Sequence, residues 1–133
     1  MRLYLDANAI IYVVEAVVPF HAAVVSHVAQ AQAVPGSLVL TSRLSRLECR
    51  LKPTRDGDAA LLLKYDLFFR RKPATVIDVD ADVIERATDL RVRYNVKTPD
   101  AIHLATAWQQ RADVFLTGDA ALARCTEVPV EVL

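Results

Sequence analysis

Short apolar runs alternate along the chain with longer segments whose apolar positions recur at helical spacing. Residues 3–5, 38–40, 75–79, 113–117 and 128–132 read as brief, buried strands. The first helical segment, 9–18, is rich in β-branched residues but lacks strand alternation. Asn8 is placed to cap it and Pro19 to end it. Residues 20–33 form a second helix, closed by the turn Val34-Pro35-Gly36-Ser37. Thr41 or Ser42 caps a third, in which Leu44, Leu47 and Leu51 make an apolar stripe bordered by Glu48. Arg43, Arg46 and Arg50 share a neighbouring face, and Lys52-Pro53-Thr54 is expected to break the helix. Residues 56–69 follow as a helix apolar nearly all round, carrying Leu61, Leu62, Leu63, Tyr65, Leu67, Phe68 and Phe69. A small domain seldom buries every side of one helix, so part of this surface is expected to meet another chain.

Asp80 or Asp82 opens the next helix, which runs to about Arg93 with Val83, Ala87, Leu90 and Tyr94 at helical spacing. The helix after it is the most sharply marked. Thr98 reads as its N-cap, Pro99 suits the first helical position, and Asp100 faces the positive end of the helix dipole. Ala101, Leu104, Ala105 and Trp108 then line one apolar face. Residues 120–123 make a short helix before the last strand. Strands alternating with helices throughout predict a single α/β domain over residues 1–133. Its architecture is a three-layer α/β/α sandwich with a mainly parallel central sheet.

Sixteen basic and sixteen acidic residues give a net charge of zero, which argues against nucleic-acid binding by bulk positive charge. Local patches remain at Arg43, Arg46 and Arg50 and at Arg70-Arg71-Lys72, though each alone reads as a solvated face. Cys49 and Cys125 have neither CxxC spacing nor nearby histidines, and are expected to be reduced core thiols of a cytoplasmic protein. The run from Met1 is broken at once by Asp6, which does not fit a signal peptide, and no stretch is long enough to span a membrane.

The chemistry enters through the acids. In parallel sheets ligands bind at the carboxyl ends of the strands. Asp6 and Asp119 each stand directly after an apolar strand, and Asp100 opens a helix that begins at the same edge. Glu48, about a turn into the helix after the second strand, reaches that edge too. Singly, Asp100 is a first-turn acid and Glu48 a packed stem with its head in water, or a partner for Lys52. Together, Asp6, Glu48, Asp100 and Asp119 crowd like charges that a cation must offset. No histidine–cysteine set favours zinc, whereas hard oxygen ligands suit Mg²⁺, with Mn²⁺ as a substitute. Asp6 and Asp100 are expected to ligate directly, and Glu48 and Asp119 directly or through water. A site of this kind performs phosphoryl chemistry with a metal-activated water.

The segments Leu5-Asp6-Ala7-Asn8, Thr98-Pro99-Asp100-Ala101-Ile102-His103-Leu104-Ala105 and Leu116-Thr117-Gly118-Asp119, with Glu48 between them, resemble the PIN-domain family. Within it they look like the small VapC-type toxins, and the resemblance runs the length of the chain. It implies a PIN-like fold and a metal-dependent endoribonuclease toxin with Asp6, Glu48, Asp100 and Asp119 as the acidic quartet. Asn8 and Thr117 stand where the family carries small polar residues that orient the quartet. It further implies an RNA substrate, a homodimer, and a VapB-type antitoxin whose tail enters a groove between helices, with the apolar 61–69 surface as candidate. Asn8 departs from a frequent Ser or Thr, and Gly118 from a frequent Asn. His103, one turn from Asp100, reads as a helix residue with a local hydrogen bond; contact with a substrate or a carboxylate is the other reading. His21 and His27 show no partner. Asp-nucleophile phosphatases need a second acid where Asn8 stands. A receiver-like regulatory module needs a lysine after a late strand, where Thr117-Gly118-Asp119 offers none. A catalytically silent metal-binding module is opposed by the intact quartet.

Overall fold

The computed structural model describes residues 1–71 and 74–133. Among these, parallel strands β1 (Arg2–Leu5), β2 (Leu38–Ser42), β3 (Ala74–Ile77), β4 (Val114–Thr117) and β5 (Val130–Val132) form one sheet in the order β3-β2-β1-β4-β5. Leu3 pairs with Val39 and Val114, and Tyr4 with Leu40 and Phe115. The chain therefore leaves the central strand β1 toward one edge through β2 and β3, then returns to its other side for β4 and β5. That reversal opens a crevice outside the carboxyl ends of β1 and β4.

Strand alternation divides the core into two layers. Leu3, Leu5, Val39 and Leu116 pack against α1 (Ala7–Val14), α2 (Phe20–Gln32), α3 (Arg43–Asp56) and α4 (Ala59–Arg70). Tyr4, Leu40 and Phe115 face α5 (Ala81–Tyr94) and α6 (Thr98–Gln109), with Tyr4 stacked on Phe115 at 5.0 Å between ring centroids. The α/β/α sandwich expected from the alternation is the observed fold. Ser42 caps α3 and Asp80 caps α5, as the sequence suggests.

Several local expectations are overturned. Asp6, not Asn8, caps α1: its Oδ1 accepts the Ala9 amide at 2.9 Å, while Asn8 lies exposed in the first turn. The helix follows β1 so directly that the last strand-end residue becomes its cap. α1 also stops at Val14, well before Pro19. Thr98 lies inside α6, with Lys97 at the cap position, and its hydroxyl accepts from Arg91 at 3.0 Å. α3 continues through Pro53, losing one backbone bond at a cost of about 3 kcal/mol. The proline is buried, and Gly57 ends the helix in the left-handed region at φ 65°. α4 begins at Ala59 behind the Asp58 cap rather than at Asp56.

The Leu44–Leu47–Leu51 stripe points the wrong way for a core. Leu47 and Leu51 are 61% and 54% exposed, and α3 buries Ser45, Cys49 and Pro53 instead. In α4 Tyr65 is buried and Leu61, Phe68 and Phe69 partly so, leaving Leu63 and Leu67 outward. Trp108 leaves the α6 core face half in solvent, with the Arg86 guanidinium 3.8 Å from its ring centroid. Arg43, Arg46 and Arg50 are not free: Arg43 pairs with Asp78 at 2.9 Å and Arg46 with Asp66 at 3.0 Å. Arg50 Nε lies 3.1 Å from the same Asp66 oxygen, and that oxygen is in hydrogen-bond alignment with neither arginine, so both contacts are electrostatic only. Arg70 and Arg71 are exposed, and Lys72 lies outside the described residues. His21 and His27 do have partners, the Tyr12 carbonyl at 3.2 Å and Glu131 at 3.0 Å.

Leu104 is fully buried against the sheet. Leu104→Ala is expected to cost about 2–5 kcal/mol, and the outward Leu47→Ala to stay within about 0.5 kcal/mol, by urea unfolding. Equal losses at the two positions would show that the sequence's leucine stripe is core after all.

Candidate active site

The site is assembled at the carboxyl edge of β1 and β4. β1 ends by delivering Asp6, 4% exposed, into the crevice. Thr117, the last residue of β4, donates its hydroxyl to Asp6 Oδ2 at 2.5 Å and accepts the Asp119 amide at 3.0 Å. One buried hydroxyl thus ties the ends of two adjacent strands and sets where the Asp119 loop begins. Asp119 Oδ1 in turn accepts the Ala121 amide at 2.9 Å, capping the 3₁₀ turn Ala120–Arg124. Thr117 thus bonds the Asp6 carboxylate and the Asp119 backbone amide. Asn8 makes no hydrogen bond to any of them among the described residues. Gly118 has a physical reason: a Cβ there would lie 2.5 Å from the Tyr12 hydroxyl, and the Tyr12 ring is itself stacked on Phe20 at 4.6 Å.

Asp100 stands at the start of α6, half-buried in the same crevice. Burial first, then the charges of Asp119 and Glu48, push its carboxyl above the ordinary value, against the pull of Lys97. Asp6 is likewise raised, first by burial and also by Asp100, although the Thr117 hydroxyl and the Ala9 amide oppose the shift. The acids therefore feel one another as a single electrostatic cluster.

Glu48 arrives from α3, beside the buried Ser45 and Cys49. His103, 2% exposed, holds it across the edge, with Nε2 2.5 Å from Glu48 Oε1. Nδ1 of the same ring lies 2.7 Å from the Tyr4 hydroxyl. An ionised carboxylate only accepts, so Nε2 carries a proton, and in the neutral ring Nδ1 then accepts from the phenol. His103 is therefore not a helix residue with a local bond; it is a bridge between β1 and α3. Glu48 pairs with it rather than with Lys52. Sequence reasoning passed over Tyr4 altogether. The available signal was a hydroxyl in the otherwise apolar run Leu3–Leu5, whose buried O–H must find a partner.

The side-chain oxygens do not form a closed cage. Among the described residues no three acidic, histidine or cysteine side chains lie in a ready ligand arrangement. Asp6, Glu48 and Asp119 each turn an oxygen to a protein donor, whereas Asp100 has no such hydrogen bond among the described residues. The donor chemistry nevertheless suits a hard divalent ion. The groups facing the crevice are carboxylates, and both nitrogens of His103 are already engaged, which leaves no imidazole lone pair for zinc. A cleft of about 390 Å³ runs on from Glu48 between α1, α3 and α4, with Glu15, Asp56 and Asp58 on its walls.

A raised carboxyl pKa means that the folded state holds the proton more tightly than the unfolded one. The stability this gives is full below the ordinary carboxylate range and is lost as pH rises through the raised value. In EDTA, Asp100→Asn should therefore melt progressively higher than the parent as pH rises from about 4 to 8, the permanently neutral amide escaping that loss. A difference in melting temperature that does not grow with pH would remove the electrostatic coupling from this account.

A family model described as "PIN domain" matches residues 3–128. No curated protein sequence matches the chain. Among solved structures, VapBC2 from Rickettsia felis, bound to a promoter DNA fragment, superposes with a TM-score of 0.82 at 14% identity, covering 99% of this chain and 98% of that one. Mycobacterium tuberculosis VapC20, a Sarcin-Ricin loop cleaving toxin, gives 0.74 at 17% identity over 97% and 98%. FitAcB from Neisseria gonorrhoeae gives 0.69 at 17% identity over 96% and 95%. The family model spans nearly the whole chain and includes the acid-bearing strand ends, so this protein belongs to the PIN-domain family and shares the fold of VapC toxins.

Proposed function

We propose that the protein is a VapC-type endoribonuclease toxin that hydrolyses RNA phosphodiester bonds with the help of Mg²⁺, for which Mn²⁺ substitutes. The carrying observation is the acid cluster at one sheet edge: Asp6 fixed by the Ala9 amide and the Thr117 hydroxyl, and Asp100 opening α6 close enough that its charge raises the Asp6 carboxyl. Structural work alone does not call for such a cluster, because buried like charges destabilise the fold. Asp6 and Asp100 would hold the ion directly, with Glu48 and Asp119 holding it directly or through water. When bound, the ion supplies Lewis acidity, polarising the phosphate and lowering the pKa of the attacking water. The chain's own contribution is placement. Thr117 and the Ala9 amide lock the Asp6 carboxylate, and α6 brings Asp100 alongside it.

The same reading includes a VapB-type antitoxin as partner. The supporting feature is an apolar groove of about 280 Å³ lined by Val13, Val25, Val28, Ala29 and Phe68, where α4 meets α1 and α2. Several similar folds were solved as toxin–antitoxin or VapBC complexes. A homodimer belongs to the reading as well, with Ile84 and Val92 of α5 as exposed apolar positions. The two cysteines are buried and unpaired, in keeping with a cytoplasmic setting. No helix among the described residues is long and apolar enough to cross a membrane.

Purified protein should cleave RNA in Mg²⁺ or Mn²⁺, lose that activity in EDTA, and lose it again in Asp6→Asn or Asp100→Asn, read by fragment sequencing after brief incubation. Glu48→Gln should weaken Mn²⁺ binding less than Asp100→Asn, by calorimetric titration. Cleavage that survives EDTA, or full activity in either aspartate variant, would overturn the mechanism.

A further inference from the structure

Glu48 differs from the three aspartates in how it is held. They are positioned by strand ends, helix caps or a helix start, whereas Glu48 sits on a long flexible side chain, partly exposed, on a helix from the opposite layer. A glutamate so placed has many rotamers available, and ordering it in the crevice costs conformational entropy. One buried side chain restrains it. His103 reaches out of α6 at the level of the crevice, and its Nε2 meets Glu48 Oε1 at 2.5 Å. The imidazole is restrained in turn by the Tyr4 hydroxyl at 2.7 Å and by Tyr4 ring packing, 5.9 Å between centroids at 70°. Tyr4 is fully buried and stacked on Phe115, so the end of the relay is anchored in the rigid centre of the sheet.

We propose that His103 is a positioning residue, held in its Nε2–H tautomer by Tyr4, which aims Glu48 so that its second carboxylate oxygen faces the Asp6–Asp100 crevice. The proposal rests on the functional reading above for the role of Glu48 in holding a divalent ion. The Tyr4–His103–Glu48 geometry stands without it. Two neutral donors in series do this work, and no proton moves. The phenol donates to Nδ1, which leaves Nε2–H as the only donor the ring can offer the carboxylate. With Oε1 taken by Nε2–H, Oε2 has no hydrogen-bond partner among the described residues and is the oxygen left for a cation. Hydrogen-bond partners of ligating carboxylates typically matter by 10- to 100-fold in metal affinity.

The test uses the full chain, uniformly ¹⁵N-labelled. Long-range ¹H–¹⁵N correlation spectra of the metal-free protein should show His103 Nε2 protonated and Nδ1 as the bare acceptor; the opposite tautomer, or a ring protonated on both nitrogens, overturns the proposal. Three variants then separate aim from packing. His103→Gln keeps an amide donor near the Nε2 position, His103→Leu keeps only bulk, and Tyr4→Phe keeps the ring but frees the tautomer. Mn²⁺ affinity by titration should fall about 10- to 100-fold in His103→Leu and recover in large part in His103→Gln, with Tyr4→Phe between them. Thermal melts identify any variant that fails to fold. If His103→Leu does, the Gln and Phe variants and the spectrum decide. Wild-type affinity in His103→Leu, or an equal loss in a folded His103→Gln, overturns the proposal. A wild-type protein that binds no Mn²⁺ and cleaves no RNA sinks the functional reading instead. In that case a change in the His103 ¹⁵N shifts in Glu48→Gln still supports the relay, and unchanged shifts refute it.

Discussion

A carboxylate buried under the junction of two strands is expensive, and the arrangement around Asp6 is what makes it tolerable. Taking an ionised carboxyl out of water costs several kcal/mol unless donors replace the lost hydration. Asp6 receives two: the Ala9 amide at the first turn of α1 and the Thr117 hydroxyl at the end of β4. Neither donor is local to Asp6 in the sense of a chance surface contact. The amide exists as a free donor because a helix starts immediately after β1, and the hydroxyl is present because β4 lies beside β1 in parallel register. The strand order that brings β4 to β1 is therefore the condition on which the site depends. A sheet wound in one direction only would leave Asp6 without Thr117 and Asp119 distant from it.

The site also joins the two helical layers. Cys49 of α3 belongs to the core on one face of the sheet, while Leu104 and Ala105 of α6 belong to the core on the other. At the carboxyl edge α3 and α6 meet through Glu48 and His103, and Tyr4 of the sheet stands between the layers. Hydrogen bonds with buried partners are directional where apolar packing is not. The apolar cores hold the layers together, and the Tyr4–His103–Glu48 chain sets their register where chemistry requires it. The residual repulsion among Asp100, Asp119 and Glu48 is a stability cost borne at the site, as is common where function needs a poised cluster.

Away from the crevice, the outward leucines of α3 and α4 show how little periodicity says about which side of a helix is inside. Leu44, Leu47 and Leu51 recur at helical spacing, yet the buried face of α3 is Ser45, Cys49 and Pro53. Small and polar residues form that face because α3 packs closely beside α1 at the edge, with the Cys49 thiol 3.8 Å from the Ala7 carbonyl and the Ser45 hydroxyl 2.7 Å from that of Thr41. Bulky side chains find no room there and take the surface.

From the sequence alone came the order of strands and helices, the parallel layered architecture and the acids at strand ends. These depend on local facts: apolar runs of strand length, helical spacing between them, and Asp6 and Asp119 directly after strands. That the sequence points Asp6, Glu48, Asp100 and Asp119 toward one edge follows from parallel α/β topology, which sends strand ends and helix starts there. Other features were not legible, and each turns on a partner distant in the chain. Asp6 rather than Asn8 caps α1 because the strand passes into the helix without a loop. Pro53 continues α3 because its ring is buried. His103 bridges Tyr4 and Glu48, 99 and 55 residues away, a pairing that no periodicity encodes. Hydrophobic patterning is a property of neighbours along the chain, whereas the aim of a buried hydrogen bond belongs to groups that meet only once the sheet has closed.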